Sequence, residues 1–234
     1  MSKPLTYRLD GGVAVITLDD GKANAIGHGT VSAVHEALDR AESEARAVVI
    51  AGRPGRFSAG FDLATMTEST ESMRELVLAG GRMLMRLYGF GLPTVAACTG
   101  HALAAGALVL LACDQRIGGE GPAKIGLNEV AIGMALPVFA VELARQRLQP
   151  AHFTAATMGA QVYDPAGAVN AGYLDSTVPE FDLLTAALAQ AKALGDLRTG
   201  AYARTKSVAR GEVIEQVLAS LEDDLASITG PDAG

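Results

Sequence analysis

The chain has 234 residues, 49% of them hydrophobic, and a formal net charge of −7. That length suits one substantial core, and no apolar run reaches the roughly 18 residues that a membrane-spanning helix needs. Lysines and arginines are scattered without a basic stripe, which argues against a nucleic-acid backbone as partner.

Met1 to Pro4 lead into strand-like sequence without an apolar signal region, so the expected location is cytoplasmic. Val13 to Leu18 is β-branched and bounded by Gly11-Gly12 and Asp19-Asp20-Gly21, which predicts a strand. Gly27 to Ala45 carries Val31, Val34, Leu38 and Ala41 at helical spacing. Ala47 to Ala51 reads as a buried strand. Thr70 to Tyr88 reads as a long helix with Met73, Leu76, Met83, Leu84 and Leu87 inward. A strand over Thr94 to Thr99, a short apolar helix over Ala104 to Cys113 and a strand over Gln115 to Ile117 follow. After Pro137 the pattern is mostly helical, through Phe139 to Arg147, Pro150 to Met158, Pro165 to Ala171, Leu183 to Leu194, Arg198 to Ala209 and Glu212 to Ile228, with a stop at Thr229-Gly230-Pro231. This order predicts an α/β core over residues 1–180 and a helical extension over 181–234 that packs on the core or on another subunit. Cys98 and Cys113 sit in apolar stretches without metal or redox spacing and read as buried free thiols, as a reducing cytosol would keep them.

Two small-residue turns follow predicted strands, Arg56 to Leu63 and Gly100 to Gly106. Each presents backbone N–H groups at a strand's end, as the two halves of an oxyanion hole would. Competing motifs fail on spacing. Ser58, in Gly55-x-x-Ser58-x-Gly60, is one residue off a nucleophile elbow. Gly100 and Gly106 are one residue too far apart for a phosphate loop, and Ala107-Leu108 stands where Lys-Ser/Thr should be. His35-Glu36-Ala37-Leu38-Asp39 has Asp in place of a zinc helix's second His, so no metal site is expected.

Six segments in order resemble the crotonase superfamily, the enoyl-CoA hydratase and isomerase group. They are Asp20-Gly21-Lys22-Ala23-Asn24-Ala25, Phe57-Ser58-Ala59-Gly60-Phe61-Asp62-Leu63, and Pro93-Thr94-Val95-Ala96-Ala97 leading to Gly100-His101-Ala102-Leu103-Ala104-Ala105-Gly106. The others are Cys113-Asp114-Gln115-Arg116-Ile117, Ile125-Gly126-Leu127-Asn128-Glu129-Val130-Ala131-Ile132-Gly133, and Ala171-Gly172-Tyr173-Leu174-Asp175-Ser176-Thr177-Val178-Pro179. The resemblance implies an α/β spiral of repeated ββα turns, with a helical C-terminal region that builds trimers or hexamers and covers the pocket.

It further implies an acyl-CoA substrate, no other cofactor, and oxyanion N–H groups at Phe61 and Ala105. Hydratases of this group use two glutamates around one water. Here the first of those positions is Leu108 and the second Glu129. One acid/base group therefore remains, which favours Δ3,Δ2-enoyl-CoA isomerisation over hydration, because a lost proton handler ordinarily costs roughly 10²–10⁴-fold. Enoyl-CoA hydration in fatty-acid β-oxidation and acyl-CoA binding without turnover stay open as alternatives. Asp62 reads as a structural or rim residue and His101 as packing. CoA is expected along Lys22, Ala23 and Ala25 and the loop of Ser58, Ala59, Gly60, Asp62 and Leu63, with Leu108, Met66, Met134 and Phe139 around the acyl chain. Lys206 resembles a C-terminal lysine that reaches CoA phosphates, with a solvated helix residue as the alternative.

Overall fold

The computed structural model describes residues 4–228. In chain order the elements are β1 (Leu5–Asp10), β2 (Val13–Leu18), β3 (Ala25–Ile26), α1 (His28–Glu44), β4 (Ala47–Ala51), β5 (Gly55–Ser58), β6 (Gly60–Phe61), α2 (Leu63–Glu68), α3 (Thr70–Tyr88), β7 (Thr94–Cys98), β8 (Gly100–Leu103), α4 (Ala105–Ala112), β9 (Gln115–Gly119), β10 (Ile125–Gly126), α5 (Val138–Arg147), α6 (Phe153–Thr157), α7 (Pro165–Ala171), β11 (Ser176–Val178), α8 (Leu183–Gly195) and α9 (Thr199–Ser227). A six-stranded sheet has the order β1-β2-β4-β7-β9-β11, and a second runs β10-β8-β5. Among the described strand pairs only β1/β2 is antiparallel. Each of β4, β7 and β9 lies in the large sheet and hands the chain to a short strand of the small one, so successive turns stack as a spiral.

Strand alternation assigns the two faces of the large sheet. Ala14, Ile16, Val48, Ile50, Ala96 and Cys98 face the main core, while Val13, Val15, Ala47, Val49, Val95 and Ala97 face α8. That helix meets them with Leu183, Ala187 and Ala191. Val217, Leu221 and Leu225 of α9 join the main core, where that helix packs on α3 and α5.

The predicted strands and helices up to residue 195 all appear, with ends shifted by a residue or two, except that Pro150 to Met158 divides into a 3₁₀ turn and α6. Beyond them the structure departs from expectation. The two helices predicted for Arg198 to Ala209 and Glu212 to Ile228 are the single α9, which runs through Gly211. A lone helical glycine costs about 1 kcal/mol relative to Ala, and burial of the apolar stripe that follows it outweighs that. The predicted stop at Thr229-Gly230-Pro231 lies outside the described residues. Among the described residues no helix is long and apolar enough to cross a membrane. Cys98 and Cys113 are free and buried, and burial pushes both thiols up to about 12.

Candidate active site

The site starts from a turn tied down by its own side chains. Asp20 accepts from the backbone N–H groups of Lys22, Asn24 and Ala25 at 2.7, 2.9 and 3.0 Å. Burial alone would raise its pKa, but these bonds outweigh it and hold the carboxyl below its ordinary value. Asn24, at φ 54°, donates to the carbonyls of Leu18, Arg56 and Phe57 at 2.9, 3.1 and 3.1 Å. Ser58 in turn donates to the Asn24 carbonyl at 2.7 Å and accepts from Gly60 N–H at 3.2 Å. Ser58 is therefore a buried fastener between two loops rather than a nucleophile.

The two small-residue turns meet. A Cβ on Gly60 would lie 2.8 Å from the Ala104 Cβ and 3.2 Å from the Ala105 nitrogen, and one on Gly106 would lie 2.3 Å from the Ser58 carbonyl oxygen. Glycine at both positions lets the Gly60–Phe61 peptide lie beside the first amide of α4. Asp62 N–H donates to the Ile26 carbonyl at 3.1 Å, and strand alternation turns the preceding Phe61 N–H away from β3. Ala104 is held at φ 50°, a conformation that costs a non-glycine residue on the order of 1–3 kcal/mol. Its carbonyl accepts from Ala107 and Leu108 N–H at 2.9 and 3.1 Å, so Ala105 N–H opens α4 at the positive end of the helix dipole.

Beside these amides lies a cavity of about 380 Å³. Of the residues expected there, Ala23, Ala25, Ala59, Phe61, Asp62 and Leu63 line the loop side, and Met66, Leu108, Met134 and Phe139 line the apolar side. Gly60, Ser58 and Ala105 sit beneath the surface as buried supports, and Lys22 is exposed. Its carbonyl accepts from Arg53 Nε at 2.8 Å. Gly80 and Gly81 in α3 admit the rings of Phe61 and Phe139, each closer than a Cβ would allow without displacement. The helix-weakening cost of those glycines is the signal that could have located this packing.

Glu129 borders the cavity; the residue as a whole is half-buried, and its Oε2 is buried and has no hydrogen-bond partner. Burial pushes its pKa up to about 7 against the pull of the Glu129 and Asn128 backbone amides. Asp62 also borders the cavity, with its Oδ2 engaged in the fold. It caps α2, accepting from Thr65 N–H at 3.0 Å and from the Thr65 hydroxyl at 2.8 Å. His101 is likewise occupied, its Nδ1 accepting from Lys124 N–H at 2.9 Å.

Lys206 corrects both sequence readings. It is buried, donating to the carbonyls of Phe90 and Leu92 at 2.7 and 3.0 Å and pairing with Asp114 at 2.6 Å. These bonds hold its ammonium inside the protein rather than in solvent or out toward a CoA phosphate. Arg74, Ile132, Leu225 and Ile228 complete parts of the cavity wall without having been anticipated. Among the described residues no group of three His, Cys, Asp or Glu side chains could hold a metal ion.

Comparison with known proteins accounts for this arrangement. The sequence model of the enoyl-CoA hydratase/isomerase family matches residues 8–226. A solved enoyl-CoA hydratase/isomerase family protein from Pseudomonas syringae superposes with a TM-score of 0.94 at 41% identity, over 97% of this chain and 98% of that one. An enoyl-CoA isomerase from Mycobacterium tuberculosis gives 0.92 at 33% identity, over 97% and 99%. Human mitochondrial enoyl-CoA delta isomerase 1 is 31% identical over 182 residues, 76% of this chain and 60% of that protein. The chain spans between 54% and 60% of the length of three such curated relatives, some with isomerase and some with hydratase names. On the match over residues 8–226 and the shared spiral fold, the chain belongs to the enoyl-CoA hydratase/isomerase family of the crotonase superfamily.

Proposed function

We propose that this chain isomerises 3-enoyl-CoA thioesters to 2-enoyl-CoA, with Glu129 as the one proton carrier. The observation that carries the reading is the unpartnered, buried Oε2 of Glu129 bordering an apolar cavity lined also by Leu108, at the position where the resemblance to hydratases implies a second carboxylate. With a pKa near 7, Glu129 can both accept and return a proton at neutral pH. Its carboxylate takes the proton from C2, the electron pair moves into the thioester, and the Phe61 and Ala105 N–H groups hold the resulting dienolate oxygen. The same proton then goes to C4 as the double bond settles between C2 and C3. Removing one such N–H donor typically costs about 3 kcal/mol of transition-state stabilisation. The CoA portion lies along the Lys22 to Ala25 turn and the Ser58 to Leu63 loop, on the loop side of the cavity.

Self-association into a trimer or hexamer through the 181–234 region belongs to the same reading. Phe181 and Val208, 85% and 69% exposed, support it. Supplying 3-enoyl and 2-enoyl thioesters separately in D₂O tests the reaction. Isomerisation predicts conversion of the 3-enoyl substrate without water addition to the 2-enoyl one. Rapid formation of a 3-hydroxyacyl product would assign hydration instead, and binding with neither conversion nor deuterium at C2 would leave only an acyl-CoA binding protein.

A further inference from the structure

At one end the cavity shares its wall with a surface groove. Arg74 and Leu225 line the cavity on one side, and on the other they line an open surface groove of about 640 Å³ bordered by Glu71, Glu75 and Glu222. Arg74 holds that wall shut. Its Nε and one terminal nitrogen donate to the Ile228 carbonyl at 3.2 and 2.9 Å, and that terminal nitrogen donates to the Ala226 carbonyl at 2.8 Å. These carbonyls belong to the last turn of α9 and the residue after it, where the helix has no partners of its own and its dipole favours a cation. A second tie comes from Asp224, which accepts from Val138 N–H at 2.8 Å at the start of α5. The end of α9 is thereby pinned to both α3 and α5, and Leu225, 3% exposed, is pressed into the gap.

We propose that Arg74 and Leu225 form the stop that sets acyl chain length, the Arg74 fork holding the end of α9 across the cavity. This rests on the cavity taking an acyl chain, as proposed above. Each methylene buried inside the wall adds about fourfold in affinity. A longer chain must break the fork and emerge among carboxylates, where burial gains nothing.

The test is calorimetric binding of saturated straight-chain acyl-CoAs of stepwise increasing length to the wild-type protein and to Arg74→Ala, Leu225→Ala and Val77→Phe. Val77 lines the cavity from α3 and makes none of the fork's hydrogen bonds, so Val77→Phe shortens the space and stays informative should a fork variant fail to fold. The wild type should gain affinity with length up to a break and then lose it. Either fork variant should move the break to longer chains and raise the long-to-short affinity ratio tenfold or more, and Val77→Phe should move it to shorter ones. A wild-type profile without a break, or one break length shared by all four folded proteins, overturns the stop while leaving the reaction intact. Failure of the wild type to bind any acyl-CoA removes the functional reading and the stop with it.

Discussion

Two buried carboxylates in this chain meet opposite fates. Asp114 is saturated, accepting from Thr94 N–H at 2.9 Å, Tyr202 at 2.9 Å, Lys206 at 2.6 Å and Arg210 at 2.8 Å. Burial would raise its pKa, yet the Lys206 and Arg210 charges hold it below the ordinary value. Glu129 has burial without cations, and its pKa climbs to about 7. Burial therefore does not distinguish a structural acid from a reactive one. The partners do, because a saturated carboxylate is fixed in one protonation state whereas an unpartnered one can change it.

The largest stability effect should come from depriving Asp114 of its partner. Breaking a buried pair ordinarily costs 3–5 kcal/mol. Because Arg210 and Tyr202 remain, Lys206→Met should fall near the low end, about 3 kcal/mol by denaturant unfolding. CoA-thioester affinity in the folded variant should stay at the wild-type level, since Lys206 faces the core. A large loss of CoA affinity without destabilisation would reverse the assignment.

Glu129→Gln should have the opposite sign. A carboxyl whose folded pKa exceeds its unfolded value favours folding while protonated, and that benefit is lost as pH rises from the unfolded value of about 4.5 through about 7. The variant should therefore melt above the wild type at pH 8, with the gap closing by pH 4. Melting curves at both pH values check this, and a gap that does not vary with pH would mean the carboxyl is not desolvated.

In catalysis, the base form of Glu129 is required, so kcat/KM for a 3-enoyl thioester should rise tenfold per pH unit below about 7 and level off above it. A break near pH 4.5 would give Glu129 an ordinary environment. The smallest effect belongs to Gly211 of α9, which bonds to neither acid. A Cβ at Gly211 would meet nothing within 4 Å, so Gly211→Ala should stabilise by about 1 kcal/mol, or about 2–4 °C in Tm.

Much of the scaffold was legible in the sequence because it is periodic. Met73, Leu76, Met83, Leu84 and Leu87 of α3 are buried as their spacing requires, and the β-branched run of Val13 to Leu18 between two turn signals predicts one of the long strands. The two-residue strands β3, β6 and β10 were not legible, since a pair of residues has no period and their pairing depends on what Gly60 and Gly126 meet. In the site, the resemblance placed Phe61, Ala105 and Glu129, and their proximity needed the fold. Lys206 was misread because a lone lysine on a helix looks solvated until its buried anion, 92 residues away in sequence, is brought to it. Arg74 was missed for a similar reason, as its partners are main-chain carbonyls 152 and 154 positions distant.

The central claim is that a solitary, desolvated Glu129 moves the proton. Its most direct test is turnover of a 3-enoyl-CoA by Glu129→Gln alongside calorimetric binding of a saturated acyl-CoA to the same preparation. The account predicts a loss of roughly 10²–10⁴-fold in kcat with acyl-CoA binding kept. Turnover within about tenfold of the wild type would contradict it and require another base.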